Sequence, residues 1–237
     1  MVKFKYYTNS QKIAFAVSKI FIDQVKAKPN TVFILATGSS PLLTYQELVK
    51  DYQSNHTDWS HVTTFNLDEY VDLNPRFSDQ SYRCFMDQNL FNVVNIKLNH
   101  THFPTPNTVN GQYEQLIANA NGVDIALLGV GVNGHIAFNE PRSPLDSITR
   151  IVNLTPSTRQ ANARFFNNNV GAVPKQAITC GLQTILNARR IILIATGHAK
   201  KLALTKLMHT KIYDPHWPIT ALHSHTDVTI YTDQIIK

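Results

Sequence analysis

With 237 residues, 43% hydrophobic and 16% charged, the chain has the composition of one folded α/β domain, not that of a disordered protein. The first ten residues, M-V-K-F-K-Y-Y-T-N-S, contain no apolar h-region, and no apolar run reaches the roughly 18 residues of a membrane span, so a cytoplasmic protein is expected. The net charge of +6 comes from scattered basic residues with no basic tail or helix-turn-helix pattern, which argues against nucleic acid and suits a small anionic substrate.

In chain order, Phe4 to Tyr7 read as a short strand. Ile13, Val17, Ile20 and Phe21 then form the stripe of an amphipathic helix that Lys26, Lys28 and Pro29 bring to an end. Val32 to Ala36 read as a central strand, Thr37 to Ser40 as a tight turn, and Pro41 as the first residue of a helix capped by Ser40. The free N–H groups of such a helix start, with Gly38, Ser39 and Ser40 in the turn, make an anion site. An ordinary strand–turn–helix corner has the same pattern. No Gly-Lys-Ser/Thr follows, so the turn is not a Walker A loop.

Val62 to Asn66 form the next strand, which ends in Leu67-Asp68-Glu69-Tyr70. Adjacent carboxylates at a strand end often cap the following turn. Beside a histidine on a neighbouring strand end, one of them becomes a carbon-acid base. Spacing does not choose between Asp68 and Glu69. Ser78 to Asn89 look helical, and Asn99 to Asn110, with Pro104 and Pro106, read as a loop.

The most informative stretch is Asp124 to Pro141, D-I-A-L-L-G-V-G-V-N-G-H-I-A-F-N-E-P. Ile125 to Leu128 read as a buried parallel strand stopped by Gly129. The polar cluster Asn133, His135, Asn139 and Glu140 follows at once, where ligands bind in open α/β sheets. A histidine five residues before a carboxylate, on a glycine-loosened strand end, suits proton transfer. Gly129, Gly131 and Gly134 also match G-x-G-x-x-G, but Pro141 and Pro144 break any helix after them and no acidic residue ends a second strand at the right distance. A dinucleotide site is therefore not expected.

Arg150 to Leu154 suggest a further strand. Thr158 to Phe166 present Arg159 and Arg164 on a polar segment suited to a lid beside a phosphate site, and Asn167 to Asn169 make a turn. Arg190 to Thr196 repeat the buried-strand pattern. Gly197 breaks it into a helix carrying Lys200, a cation opposed to the helix dipole that an anion would explain. His223 and His225 form an H-x-H pair without cysteine or carboxylate neighbours, so no metal site is expected. Cys84 and Cys180 read as buried free thiols. Val228 to Tyr231 close the sheet. These elements amount to a single-domain, Rossmann-like doubly wound, mostly parallel sheet with helices on both faces and a helical lid at about 154–177.

The pieces L-A-T-G-S-S-P (35–41), T-F-N-L-D-E-Y (64–70), L-L-G-V-G-V-N-G-H-I-A-F-N-E-P (127–141), T-R-Q-A-N-A-R-F-F (158–166) and A-T-G-H-A-K (195–200) resemble the glucosamine-6-phosphate deaminase family across nearly the whole chain. The resemblance implies conversion of glucosamine 6-phosphate and water to fructose 6-phosphate and ammonia, without metal or organic cofactor. It implies that His135 moves protons in pyranose ring opening, supported by Asn133 and Glu140. Asp68 would take the C2 proton and return a proton to C1 through an enolamine. The 38–41 turn, Arg164 and Lys200 would hold the phosphate.

The chain departs from that pattern twice. Many members have Asp where Asn133 stands. Longer, allosterically regulated members carry a lysine where Val152 stands and extend further beyond the residue matching Tyr231, so activation by N-acetylglucosamine 6-phosphate is not expected and a monomer suffices. Two rival readings are a 6-phosphogluconolactonase-like hydrolase and a non-catalytic sugar-phosphate sensor. Lactone hydrolysis needs no base at C2, and a sensor needs an appendage for which this chain has no room.

Overall fold

The structure, a computed structural model, describes residues 2–236. Its strands are β1 (Val2–Tyr6), β2 (Val32–Leu35), β3 (Thr63–Asn66), β4 (Asp68–Val71), β5 (Thr101–His102), β6 (Ile125–Leu128), β7 (Arg150–Asn153), β8 (Gln176–Thr179), β9 (Arg190–Ala195) and β10 (Val228–Thr232). The α-helices are α1 (Ser10–Ala27), α2 (Ser39–Asn55), α3 (Tyr82–Met86), α4 (Gln112–Asn119), α5 (Pro156–Asn162), α6 (Leu182–Leu186) and α7 (Lys201–His209).

Seven strands form one sheet in the order β1-β10-β9-β6-β2-β3-β5, every neighbouring pair parallel. Strands β2 and β6 are apolar at every position because both faces are covered. On β2, Val32 and Ile34 face one layer while Phe33 and Leu35 face the other. Ala126 and Leu128 against Ile125 and Leu127 do the same on β6. The first layer takes Leu182 and Ile185 of α6 with Leu204 and Leu207 of α7. The second takes Ile13, Val17 and Phe21 of α1 with Tyr45 and Leu48 of α2. The fold is thus the doubly wound α/β sheet that the sequence predicts. Strands β2 and β6 are neighbours, yet β2 leads on to β3 on one side and β6 to β9 on the other. That reversal opens a crevice beyond their carboxyl ends.

A second, antiparallel sheet, β4-β8-β7, stands over this crevice. Leu67 is the pivot between the two sheets. Its N–H donates to Leu35 O at 3.1 Å and its carbonyl accepts from Cys180 N at 2.7 Å, so one continuous strand leaves the large sheet and enters the small one. Asp68 is the first residue past the pivot, opposite Thr179.

Several local expectations change. Helix α2 begins at Ser39 with Gly38 as its cap, not Ser40, and no side chain caps it. Gly38 has φ +88°, a conformation that glycine takes at little cost, and it turns the chain one residue earlier than the Ser40 reading required. Residues 78–89 do not form one helix. A 3₁₀ turn (Pro75–Gln80) ends at extended Ser81, whose hydroxyl accepts from Cys84 N at 3.0 Å and starts α3, and a π turn (Asp87–Phe91) follows. The 99–110 loop contains β5, whose two residues pair only with Thr64 and Phe65 and are too few to show periodicity. Cys180 is buried but Cys84 only partly so; both are free. His223 and His225 bond through their Nε2 atoms to the Leu207 and Ala188 carbonyls, each at 2.7 Å.

Candidate active site

A cavity of about 820 Å³ fills the crevice. Five chain segments close on it: the turn after β2, the β3–β4 junction, residues 79–88 around α3, the loop after β6, and helix α5 with the turn that follows. Thr37, Gly38, Ser39 and Ser40 line one end, presenting the start of the 17-residue helix α2, whose first-turn N–H groups have no partners within the helix. A Cβ on Gly129 would stand 3.5 Å from the Ser40 side chain, so the two loops meet closely there.

Asp68 lines the cavity although only 7% exposed. Among the described residues its carboxylate makes no hydrogen bond or ion pair. Burial, reinforced by the neighbouring Glu69 charge, pushes its pKa up to about 8. Glu69 is occupied differently. It accepts the backbone N–H groups of Tyr70 (2.8 Å), Tyr82 (3.0 Å) and Arg83 (2.8 Å), which fastens the start of α3. The two adjacent carboxylates therefore separate: Glu69 holds backbone, and Asp68 faces open space as a proton acceptor without a partner.

His135 lines the same cavity from the opposite loop. Its Nδ1 lies 2.7 Å from Asn133 Oδ1, while Asn133 Nδ2 donates to Glu140 Oε2 at 2.7 Å. Asn133 can present its NH₂ to the carboxylate only by turning its oxygen towards the imidazole. Nδ1 must then carry the hydrogen, which leaves the Nε2 lone pair free. Glu140 is outside the cavity lining. Burial alone would raise its pKa, but the nearby His135, charged when protonated, and hydrogen bonds from Thr158 and Asn133 outweigh this and hold it at about 2. A fixed anion therefore stands behind the imidazole, with Nδ1 at 3.7 Å.

The glycine loop serves the histidine. A Cβ on Gly131 would lie 2.2 Å from His135 Cε1, so the ring can sit there only over a glycine. Gly134, at φ +80°, would place a Cβ 2.8 Å from the Trp217 ring. The next residues are turns, not a dinucleotide-binding helix. Ala137, which lines the cavity, is held at φ +51°, an unfavourable conformation for a residue with a Cβ. Asn139 is fully buried, and its amide donates to the Ile136 and Cys180 carbonyls at 3.0 and 2.8 Å, so it braces this loop.

Elsewhere in the lining, Arg164 holds its guanidinium over the Phe165 ring at 4.6 Å. Lys200, in the turn between β9 and α7, is outside the lining residues but close to Arg164. Burial, then the Arg164 charge, lowers its pKa. Neither cation is ion-paired to a carboxylate among the described residues, a balance that a dianion would restore. Arg159 points elsewhere, with its guanidinium on the Val170 and Val173 carbonyls. Sequence reasoning missed Tyr70, Tyr82, Ser157, Thr158 and Asn162, which also line the cavity. Tyr70 stood in plain sight beside Asp68 and Glu69. The others are polar residues without a spacing signal.

The model of a family described as glucosamine-6-phosphate isomerases/6-phosphogluconolactonase matches residues 8–231. The chain belongs to this family. A glucosamine-6-phosphate deaminase of Mycoplasma mycoides is 45% identical over 228 residues, covering 95% of this chain and 92% of its own. Another, of Malacoplasma penetrans, is 42% identical and covers 97% of both. A solved structure of a monomeric glucosamine-6-phosphate deaminase superposes with a TM-score of 0.92 at 37% identity, covering 98% of this chain and 97% of that one. A 6-phosphogluconolactonase from Thermotoga maritima shares the fold at a TM-score of 0.73 but only 19% identity. The family membership makes the chain an enzyme of carbohydrate metabolism. No helix among the described residues is long and apolar enough to cross a membrane.

Proposed function

We propose that the protein is a cytoplasmic amino-sugar catabolic hydrolase that converts glucosamine 6-phosphate and water to fructose 6-phosphate and ammonia, working as a monomer. One observation carries the reading. The unpartnered carboxylate of Asp68 shares a single cavity with Asn133 and His135, which Glu140 backs from outside the lining, and with Arg164, beside which Lys200 adds a second cation suited to phosphate. A lactone hydrolase uses a base for water but none for a carbon acid. A sensor needs neither.

In this mechanism the start of α2, Arg164 and Lys200 hold the phosphate dianion. His135 Nε2 accepts the anomeric hydroxyl proton and passes it to the ring oxygen, so the pyranose opens to an aldehyde. The imidazolium formed in between is stabilised by Glu140 through Asn133. Asp68 then takes the C2 proton; the C2–H electron pair forms the C1–C2 double bond, the C1=O pair moves to O1, and O1 takes a proton from the C2 ammonium, giving the enolamine. Return of a proton to C1 leaves an iminium at C2. Water adds there, and ammonia departs as the ketone forms. A pKa near 8 makes Asp68 a stronger base than an ordinary carboxylate, and dry surroundings make its charge worth neutralising. Residues 154–177, which include α5, act as the lid over the bound sugar.

The deciding assay is ammonia release from glucosamine 6-phosphate by wild type, Asp68→Asn and His135→Gln, with 6-phosphogluconolactone as the alternative substrate. Wild type should release ammonia, and each variant should lose roughly 10²–10⁴-fold in kcat. Lactone hydrolysis without ammonia release would replace this reading by the lactonase one.

A further inference from the structure

Helix α5 does more than line the cavity. Its first turn reaches the far side of the catalytic carboxylate. Glu140 Oε2 faces Asn133, while Oε1 accepts from the Thr158 hydroxyl and, at 3.3 Å, from Thr155. Thr155 is the N-cap of α5. Its Oγ1 accepts from Thr158 N at 3.2 Å, and its single hydroxyl hydrogen can go either to Thr158 Oγ1 at 3.0 Å or to the carboxylate, so Thr158 is the standing donor to Glu140 and Thr155 supports it. Along the same helix and the turn after it, Ser157, Ala161, Asn162 and Arg164 face the cavity.

Packing of this segment does not depend on Glu140. Asn162 donates to Tyr70 Oη at 2.9 Å. Phe166, fully buried, sits among Tyr70, Phe77 and Phe138, and Arg159 ties the helix to the turn carbonyls of Val170 and Val173. The threonine contact is therefore an addition to a segment already anchored by aromatic burial, and it is aimed at the one carboxylate that orients the histidine.

From the proposed deaminase reading, we infer that Thr158, with Thr155, is a positioning residue that makes the proton relay depend on the seating of α5. When α5 is seated, both oxygens of Glu140 are occupied, Asn133 is held with its amide nitrogen on the carboxylate, and His135 keeps its hydrogen on Nδ1 and its lone pair on Nε2. When α5 lifts, Oε1 loses its donors, the carboxylate can turn, and the relay loses its single arrangement. The ring is then opened only under a closed segment whose Arg164 has found the phosphate. Substrate binding and acid–base competence become one event, and an open, water-filled site holds no aligned base.

The test uses the full chain with Thr158→Val, which keeps the shape and removes the hydroxyl, and Thr158→Ser, which keeps the hydroxyl. Thr158→Val should lower kcat about 10–50-fold, with KM and the affinity for the open-chain alditol 6-phosphate of the amino sugar within about threefold. Thr158→Ser should recover most of the loss. In a Glu140→Gln background, adding Thr158→Val should cost less than about twofold, because the route runs through that carboxylate. ¹⁵N NMR of the imidazole, assigned against His135→Gln, should show the Nδ1–H form in wild type and in Thr158→Ser, and a mixture of tautomers in Thr158→Val. Three results would overturn the inference: an unchanged kcat and tautomer in Thr158→Val, a Ser variant as impaired as the Val variant, or a full additional loss in the Glu140→Gln background. Absence of ammonia release by wild type would sink the deaminase reading instead, while the tautomer measurement would still decide the role of Thr158.

Discussion

Two aspartates, each 7% exposed, stand at opposite ends of the same parallel sheet and have opposite fates. Asp124 precedes β6 at the amino ends of the strands. Its carboxylate takes Lys28 Nζ at 2.7 and 2.8 Å, Thr31 Oγ1 at 2.9 Å, Val32 N at 2.8 Å and Arg189 Nη1 at 3.0 Å. Burial works against its ionisation, but these bonds outweigh it and hold the carboxyl below the usual range. Asp68, past the carboxyl ends, has no such partner and its pKa rises to about 8. The same residue type is a fastener where the backbone and cations converge on it, and an unpartnered carboxyl, the base of the proposed reaction, where they leave it alone. Stability is placed at one edge of the sheet and chemistry at the other.

The contrast is broken most sharply by exchanging the losses. Asp68→Asn should cost roughly 10²–10⁴-fold in kcat, about 3–5 kcal/mol of barrier, and leave the fold intact. Asp124→Asn should do the reverse: about 2–4 kcal/mol of unfolding free energy lost, since two half-exposed cations and several buried donors lose their shared acceptor, with kcat within about twofold. Denaturant melts and initial rates on the same preparations separate the two. If Asp124→Asn lost activity while keeping its stability, the division between the two edges would fail.

The two carboxyls also set opposite pH windows. The folded pKa of Asp68 lies above its unfolded value, so its proton is held longer in the native state. Its unfavourable contribution is absent below about pH 4 and grows as pH rises towards 8. Asp124, with a depressed folded pKa, contributes stability above the ordinary carboxylate range and loses it on acidification. Asp68→Asn should therefore melt with wild type near pH 4 and about 5–10 °C above it at pH 8. A constant offset across that range would mean that the Asp68 carboxylate is not desolvated in the empty cavity. On the rate side, wild-type kcat/KM should rise through about pH 8 as the base ionises.

How much of this could be read in the chain follows the same division. The buried runs of β2, β6 and β9 are largely apolar stretches stopped by glycine or a polar turn, so both the sheet and the crevice at its carboxyl edge were legible. So was the position of the Asp68–Glu69 pair, of Asn133 and His135 and of the 38–40 turn beyond strand ends, and Asp68, Asn133, His135 and the turn do line one cavity. What required coordinates was contact between distant segments. The choice between Asp68 and Glu69 rests on backbone N–H groups 13 and 14 residues further on. The small antiparallel sheet depends on β8, whose Q-A-I-T has no repeat long enough to declare itself. Thr158 gave no signal, because a threonine in a helix is unremarkable until the carboxylate beneath it is known.

The finest probe of the site is position 133, where a single atom changes. Asn133 supplies one donor to Glu140 and one acceptor to His135. Asn133→Asp keeps the acceptor, deletes the donor, and puts a second negative charge beside the imidazole. The added negative charge opposes loss of a proton from the groups that share the cavity, Asp68 included, so the acidic limb near pH 8 should move upward. Because two carboxylates at hydrogen-bond distance repel, the cost should also appear as a small loss of stability that is greatest at high pH, where both are charged. An unmoved limb would show that Asn133 serves only as a spacer in the loop, and that the charge of Glu140 reaches the histidine without its help.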